Sequence, residues 1–140
     1  MFRFRLTIDI AAPTQRVWRA LCDPAEVPLW DANVDRALDA PSDYPRPGQR
    51  VLWRLRSGDT LVDEPQVVLP QRALRSLLRI GWLRIDETYA LAALLAGTRL
   101  DLEVEVRSLL PFLDFLYGPS TRRDFAGSLE ALKRLCESSP

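Results

Sequence analysis

Three stretches of this chain alternate apolar and polar residues with the two-residue period of a strand that buries one face. In residues 2–10 the apolar positions are Phe2, Phe4, Leu6, Ile8 and Ile10, with Arg3, Arg5, Thr7 and Asp9 between them. In residues 51–56 Val51, Trp53 and Leu55 alternate with Leu52, Arg54 and Arg56, and in Thr98–Ser108 every even position from Leu100 to Val106 is apolar while the odd ones are charged. Beyond Pro111 the period changes. Phe125, Leu129, Leu132 and Cys136 recur at spacings of four, three and four, so Thr121–Cys136 reads as an amphipathic helix. Such a helix needs an apolar surface to lie on, and the preceding strands supply it. The pattern therefore predicts an α+β fold in which a curved antiparallel sheet grips one long C-terminal helix.

Between these anchors the punctuation predicts the remaining elements. Pro13 marks the first turn of a helix whose buried stripe is Val17, Trp18 and Leu21, and Asp23-Pro24 opens a second short helix toward Leu29-Trp30. Asn33–Leu38 has the makings of a short strand, and Pro41–Gly48 is a proline-rich loop. The turn Ser57-Gly58-Asp59 leads into Thr60–Leu69, where Pro65 requires a bulge or an edge. Ala73–Ile80 and Trp82–Leu95 follow as strands with an interruption near Gly81, although the alanines and leucines of Ala90–Ala96 would also suit a helical turn. Ala96-Gly97 is the expected last hairpin turn. Gly118-Pro119 should kink or break the C-terminal helix, leaving Phe112–Tyr117 as a separate helical turn. The expected order is one strand, two short helices, about six strands and the long helix, about seven strands in all.

Composition narrows the classes of function. A chain of 140 residues with 47% hydrophobic and 27% charged content fits one domain, residues 1–140, with a real core. Its 19 basic and 19 acidic residues cancel and no run of like charge exceeds two residues, so no electrostatic footprint for nucleic acid is present. The basic residues are arginine apart from Lys133, a codon-usage trait without functional weight. The N-terminus alternates instead of carrying the apolar core of a signal peptide, and the longest apolar run, Ala90–Ala96, is far below the roughly 20 residues of a membrane span. Cys22 and Cys136 lack a Cys-x-x-Cys spacing and are expected to be reduced thiols of a cytoplasmic protein, with a Cys22–Cys136 disulfide as the alternative. No internal repeat or linker divides the chain, and the oligomeric state is left open.

The order of elements and four local signatures resemble the START-like, helix-grip superfamily (SRPBCC), and within it the polyketide cyclase/dehydrase and lipid-transport branch. The signatures are Ile10-Ala-Ala-Pro13 leading to Val17-Trp18 and Leu21; Asp23-Pro24 through Trp30; Gly97-Thr98-Arg99-Leu100; and Arg122-Arg123-Asp124-Phe125 with Ser128-Leu129 and Leu132-Lys133. The resemblance implies a cavity between sheet and helix that holds a lipid, a polyketide or another apolar small molecule. It does not imply catalysis, because one fold hosts carriers and enzymes alike.

A hollow interior gives the aromatic residues a second reading beside ordinary core packing. Trp30, Trp53, Trp82, Tyr89 and Tyr117 would line the cavity as flat apolar walls with polar tips. The chain has no histidine, which removes the commonest general base and zinc ligand. No metal or cofactor is expected. Carboxylate or tyrosine chemistry remains. In Leu83, Ile85, Glu87, Tyr89 and Leu91 one carboxylate interrupts an apolar strand face, making Glu87 a candidate for a charge aimed inward; a bulge near Gly81 would instead exchange the faces and put it in water beside an arginine. Asp63, in phase with Leu61 and Pro65, is a weaker candidate, and Tyr89 or Tyr117 could assist either. Arg54, Arg56, Arg75, Arg79 and Arg99 fall on the outer face. The leading expectation is a binder of an apolar or amphipathic small molecule. The alternative is a polyketide cyclase, aromatase or dehydratase using Glu87 or Asp63, and a protein-binding module would require an exposed apolar patch.

Overall fold

Chain neighbours become sheet neighbours almost throughout this molecule. In a computed structural model that describes residues 1–110 and 114–138, β1 (Phe2–Ile10) is followed by α1 (Thr14–Cys22) and α2 (Val27–Trp30). Six strands succeed them: β2 (Val34–Asp39), β3 (Val51–Leu55), β4 (Thr60–Leu69), β5 (Ala73–Ile80), β6 (Leu83–Leu94) and β7 (Gly97–Ser108). The last element is α3 (Asp114–Ser138). The seven strands form one antiparallel sheet in the order β1-β7-β6-β5-β4-β3-β2, so the meander from β2 to β7 is completed by β1 at the far edge. This is the helix-grip arrangement expected from the sequence.

Alternation places the inner face as read. Val51, Leu100, Val106 and Leu102 are wholly buried, and Trp53 is 2% exposed. The β1–β7 register runs without a shift from Phe2 opposite Val106 to Ile10 opposite Thr98, which stacks the two apolar rows on one side. The opposite rows carry ion pairs across the outer face: Arg3 with Glu105, Arg75 with Asp86, Arg79 with Glu64, and Arg99 with Asp9. At the β6–β7 hairpin Gly97 has φ +152°, and a Cβ there would stand 2.2 Å from the Ile10 carbonyl oxygen, so the backbone approach itself demands glycine.

Several local expectations shift. The Asp23-Pro24 signal does not open a helix at once: Asp23 closes α1 through its N–H to the Arg19 carbonyl, its Oδ1 accepts from the Ala25 N–H, and α2 begins at Val27. Ala90–Ala96 is strand to Leu94 and turns at Leu95-Ala96, because the β7 ladder claims its backbone groups. Pro65 is accommodated by a register shift between Pro65 and Val67, as a bulge. Gly118-Pro119 does not break α3, which runs through both residues. Pro119 lies about one turn from the start of the helix, where few preceding carbonyls depend on it. Gly118 is there for contact: a Cβ would fall 2.3 Å from the Phe2 ring, so glycine lets this turn lie against β1. Asp114–Tyr117 is therefore part of α3, while residues 112–113 of the expected separate turn lie outside the described residues.

The helix is not centred on the sheet. Its backbone closely approaches β1, β7, α1 and α2, with no comparable approach to β3, β4 or β5. The wedge left beside those strands is where the functional candidates gather. Cys22 and Cys136 are both buried free thiols, so the disulfide alternative is not formed, and burial pushes the Cys22 thiol up to about 12. Among the described residues no helix is long and apolar enough to cross a membrane.

Candidate functional site

Three adjacent strands each place one polar residue on the inner face. Asp63 of β4 is opposite Leu78, Pro65 is opposite Ser76, and Ser76 of β5 is directly opposite Glu87 of β6. The β6–β7 pairing continues without a shift from Leu83 opposite Ser108 to Leu94 opposite Gly97, so Glu87 keeps phase with the buried Ile85, Tyr89 and Leu91. The turn at Gly81 ends before the strand begins and does not exchange its faces. Of the two placements open to Glu87, the inward one is realised.

These residues close the deep end of a cavity under the sheet. A recess of about 60 Å³ is walled by Trp30, Tyr44, Trp53, Asp63, Glu87 and Tyr89 among others. It adjoins a larger chamber of about 430 Å³, the two sharing Asp31, Val34, Leu61, Leu78 and Phe125 as walls. The chamber extends along Leu55, Ile80, Leu83 and Ile85 of the sheet and Tyr117, Thr121 and Ser128 of α3, reaching the surface beside the exposed Ser57 and Asp59. Its volume lies within the range usual for small-molecule sites, about 300–1,000 Å³.

Hydrogen bonding at the deep end is uneven. Asp63 is 6% exposed; its Oδ2 accepts from the Tyr44 hydroxyl at 3.1 Å and from Trp53 Nε1 at 3.2 Å. Its Oδ1 is buried with no hydrogen-bond partner among the described residues. Burial lifts the Asp63 carboxyl to about 6, against the pull of Trp53, Tyr44 and Ser76 toward the ionised form. Glu87 is raised well above the ordinary carboxylate range by burial and then by the charges of Asp63, Asp31 and Asp86. Asp31 is raised by burial as well, although the Asn33 N–H donates to its Oδ1 at 3.1 Å. The Tyr44 and Tyr89 hydroxyls are also pushed up, first by burial and then by these carboxyls. The recess thus gathers acids whose proton affinity is raised, the condition expected where charge is taken out of water without a counterion.

The sequence candidates separate into three groups. Trp30, Trp53, Tyr89, Glu87 and Asp63 meet in the recess, and Trp30 is pinned there by donating from Nε1 to the Ala20 carbonyl at 2.8 Å. Tyr117 stands at the chamber's outer end, half exposed. Trp82 is a correction: at 62% exposure it sits in the β5–β6 turn and lines neither space, because Gly81 at φ +55° turns the chain there and β6 begins one residue later. Sequence reading missed Tyr44, Asp31 and Ser76. Ser76 had a signal, a polar residue in phase with Leu74 and Leu78 as Glu87 is with Ile85 and Tyr89. Tyr44 lies in the proline-rich loop and Asp31 just past α2, where no period operates.

A family model described as polyketide cyclase/dehydrase and lipid transport matches residues 1–137. The chain belongs to this family. Among solved structures it is similar to a Mesorhizobium loti protein at 20% identity, with 99% and 98% of the two chains covered and a TM-score of 0.82. It is similar to a START superfamily protein of Mycobacterium smegmatis at 13% identity, with 99% of each chain covered and a TM-score of 0.79. A protein of the dynemicin biosynthetic locus matches at 19% identity and a TM-score of 0.77, with 96% of this chain spanning 46% of that one. At these identities the likeness shows the fold alone. No curated protein matches the sequence. Family and fold fit a hydrophobic-ligand-binding or polyketide-cyclase-type protein.

Proposed function

We propose that this member of the polyketide cyclase/dehydrase and lipid-transport family binds an apolar small molecule with one polar head, the body in the chamber and the head in the recess. The observation that carries this reading is the pairing of an approximately 430 Å³ chamber with an adjoining recess walled by Glu87, Asp63 and indole rings. Apolar walls supply the affinity by removing ligand surface from water, and the few polar groups at one end orient it. Since Trp30 and Trp53 wall the recess, an entering ligand must touch them or displace water from around them.

Tryptophan emission should therefore shift on titration with polyketide-like aromatic ketones, sterols or fatty alcohols. The melting temperature should rise with ligand concentration, by the equivalent of about 2.7 kcal/mol at a hundredfold excess over Kd. Trp53→Ala should weaken both responses by removing wall and freeing an Asp63 hydrogen bond. Absence of either response across the panel would remove the support for binding.

A second reading, proton transfer at a carbonyl held in the recess, is favoured by Glu87, a raised carboxyl with no hydrogen-bond or ion-pair partner among the described residues. A carboxyl that holds its proton near neutral pH can act as a general acid. Glu87→Gln should then retain binding and lose turnover of a cyclisable polyketone; retention of turnover would exclude this role.

A further inference from the structure

We propose that the head group this cavity takes is a basic nitrogen, so that the ligand is an apolar amine bound in its protonated form; this rests on the ligand-binding reading above. The chain has equal numbers of acidic and basic residues, yet the two spaces are walled by Asp31, Asp59, Asp63, Asp124 and Glu87 and by no arginine or lysine. On the outer face of the sheet the same chain matches carboxylates with guanidinium groups, as in Arg75–Asp86 and Arg99–Asp9. Acidic residues are thus in excess on the cavity walls, and basic residues in excess elsewhere.

Arg56, whose charge acts on Asp31, is exposed and engaged elsewhere, donating from Nε to the Ala32 carbonyl at 2.8 Å. The deep carboxyls have unspent acceptor capacity. Asp63 is more than nine-tenths buried and its Oδ1 has no partner among the described residues, while Glu87 beside it accepts no hydrogen bond among them. These acceptors can take further donors, and an ammonium head carries several. Aromatic rings complete the fit: Trp30, Trp53, Tyr44 and Phe125 share the wall with the carboxyls, and ring faces attract cations. A carboxylate head would meet Asp31, Asp63, Asp124 and Glu87 with no lysine or arginine among the lining residues to offset its charge.

The experiment uses three molecules with one naphthyl body and different heads, naphthylethylamine, naphthylethanol and naphthylacetate, titrated calorimetrically into the 140-residue chain at neutral pH. The amine should bind about tenfold tighter than the alcohol, and the acetate more weakly than either, as expected where a charge-assisted hydrogen bond replaces a neutral one. Glu87→Gln should bring amine and alcohol to similar affinity, and Asp63→Asn should reduce the amine's advantage in the same direction. Acetate binding as tight as the amine, or an amine advantage untouched in both variants, would overturn the proposal while leaving ligand binding intact. Failure of all three heads to bind would overturn the ligand-binding reading and the amine with it. If a variant fails to fold, the order of the three heads on the wild-type protein decides.

Discussion

From Leu129 to Cys136 the C-terminal helix turns Leu129, Leu132 and Cys136 inward, and all three are nearly or wholly buried. From Tyr117 to Ser128 the same helix presents Ser120, Thr121, Asp124 and Ser128 to a cavity, with Phe125 as the one large apolar residue between them. The strands answer in kind. Where α3 lies close, β1 and β7 offer Phe4, Ile10, Leu100 and Leu102; where it stands away, β4, β5 and β6 offer Asp63, Ser76 and Glu87. One half of the interior is packed to hold the fold together, and the other is left open with its polar groups imperfectly matched. Stability and site are thus divided along a single helix, so each can be perturbed with limited effect on the other.

The largest expected effect comes from removing the helix altogether. Truncation after Pro119 deletes Leu129 and Leu132 with the rest of the cover, and each buried side chain is worth roughly 1.5–3 kcal/mol against a total of roughly 5–15 kcal/mol. Loss of a cooperative unfolding transition is expected; a truncated monomer that still melts sharply would contradict the division. Next is a matched pair on the intact helix. Leu132→Ala at the packed end should cost about 2–5 kcal/mol by urea denaturation. Phe125→Ala at the open end should cost distinctly less, since its ring already borders empty space, while enlarging the cavity. Equal costs would show that the two halves are packed alike.

The carboxyls give a third test, with the opposite sign. The native Asp63 carboxyl, near 6, holds its proton more tightly than the ordinary value of 3.8, so in the window between them the native state binds more protons than the unfolded chain. Its contribution to stability is therefore undiminished below about 4, falls as pH rises toward 6, and stays low above, a change on the order of 3 kcal/mol. Glu87 acts in the same direction. Asp63→Asn and Glu87→Gln should raise stability at neutral pH and flatten its decline between pH 4 and 6, measured by urea unfolding across that range. Destabilisation by both variants at neutral pH would show that the polar recess supports the fold. The smallest effect belongs to the outer face, where Arg75→Ala breaks the exposed pair with Asp86 and should cost no more than about 1 kcal/mol in the same assay.

How far these features were legible depends on the range over which each is decided. Alternation is local: consecutive side chains of a strand must point to opposite faces, so the rows Phe4–Ile10 and Leu100–Val106 identify their buried sides from neighbouring residues alone. The helical spacing of Phe125, Leu129, Leu132 and Cys136 is equally local. With no histidine, composition already removed the commonest general base and made carboxylates and tyrosines the first candidates. The inward aim of Glu87 needed more, because it depends on an unshifted β6–β7 ladder, and a single bulge would have reversed it. Trp82 shows the converse, an aromatic residue that composition placed in the wall and a hairpin turn placed in solvent. Continuity of α3 through Gly118-Pro119 was likewise settled by packing, the glycine lying against Phe2 where helix propensity alone argues for a break. The meeting of Tyr44, Asp31 and Ser76 with Glu87 and Asp63 brings together a loop, a helix end and three strands, and residues so far apart in the chain share no period. Only the tertiary structure decides that convergence, because it depends on strand register and on where the helix stands away from the sheet.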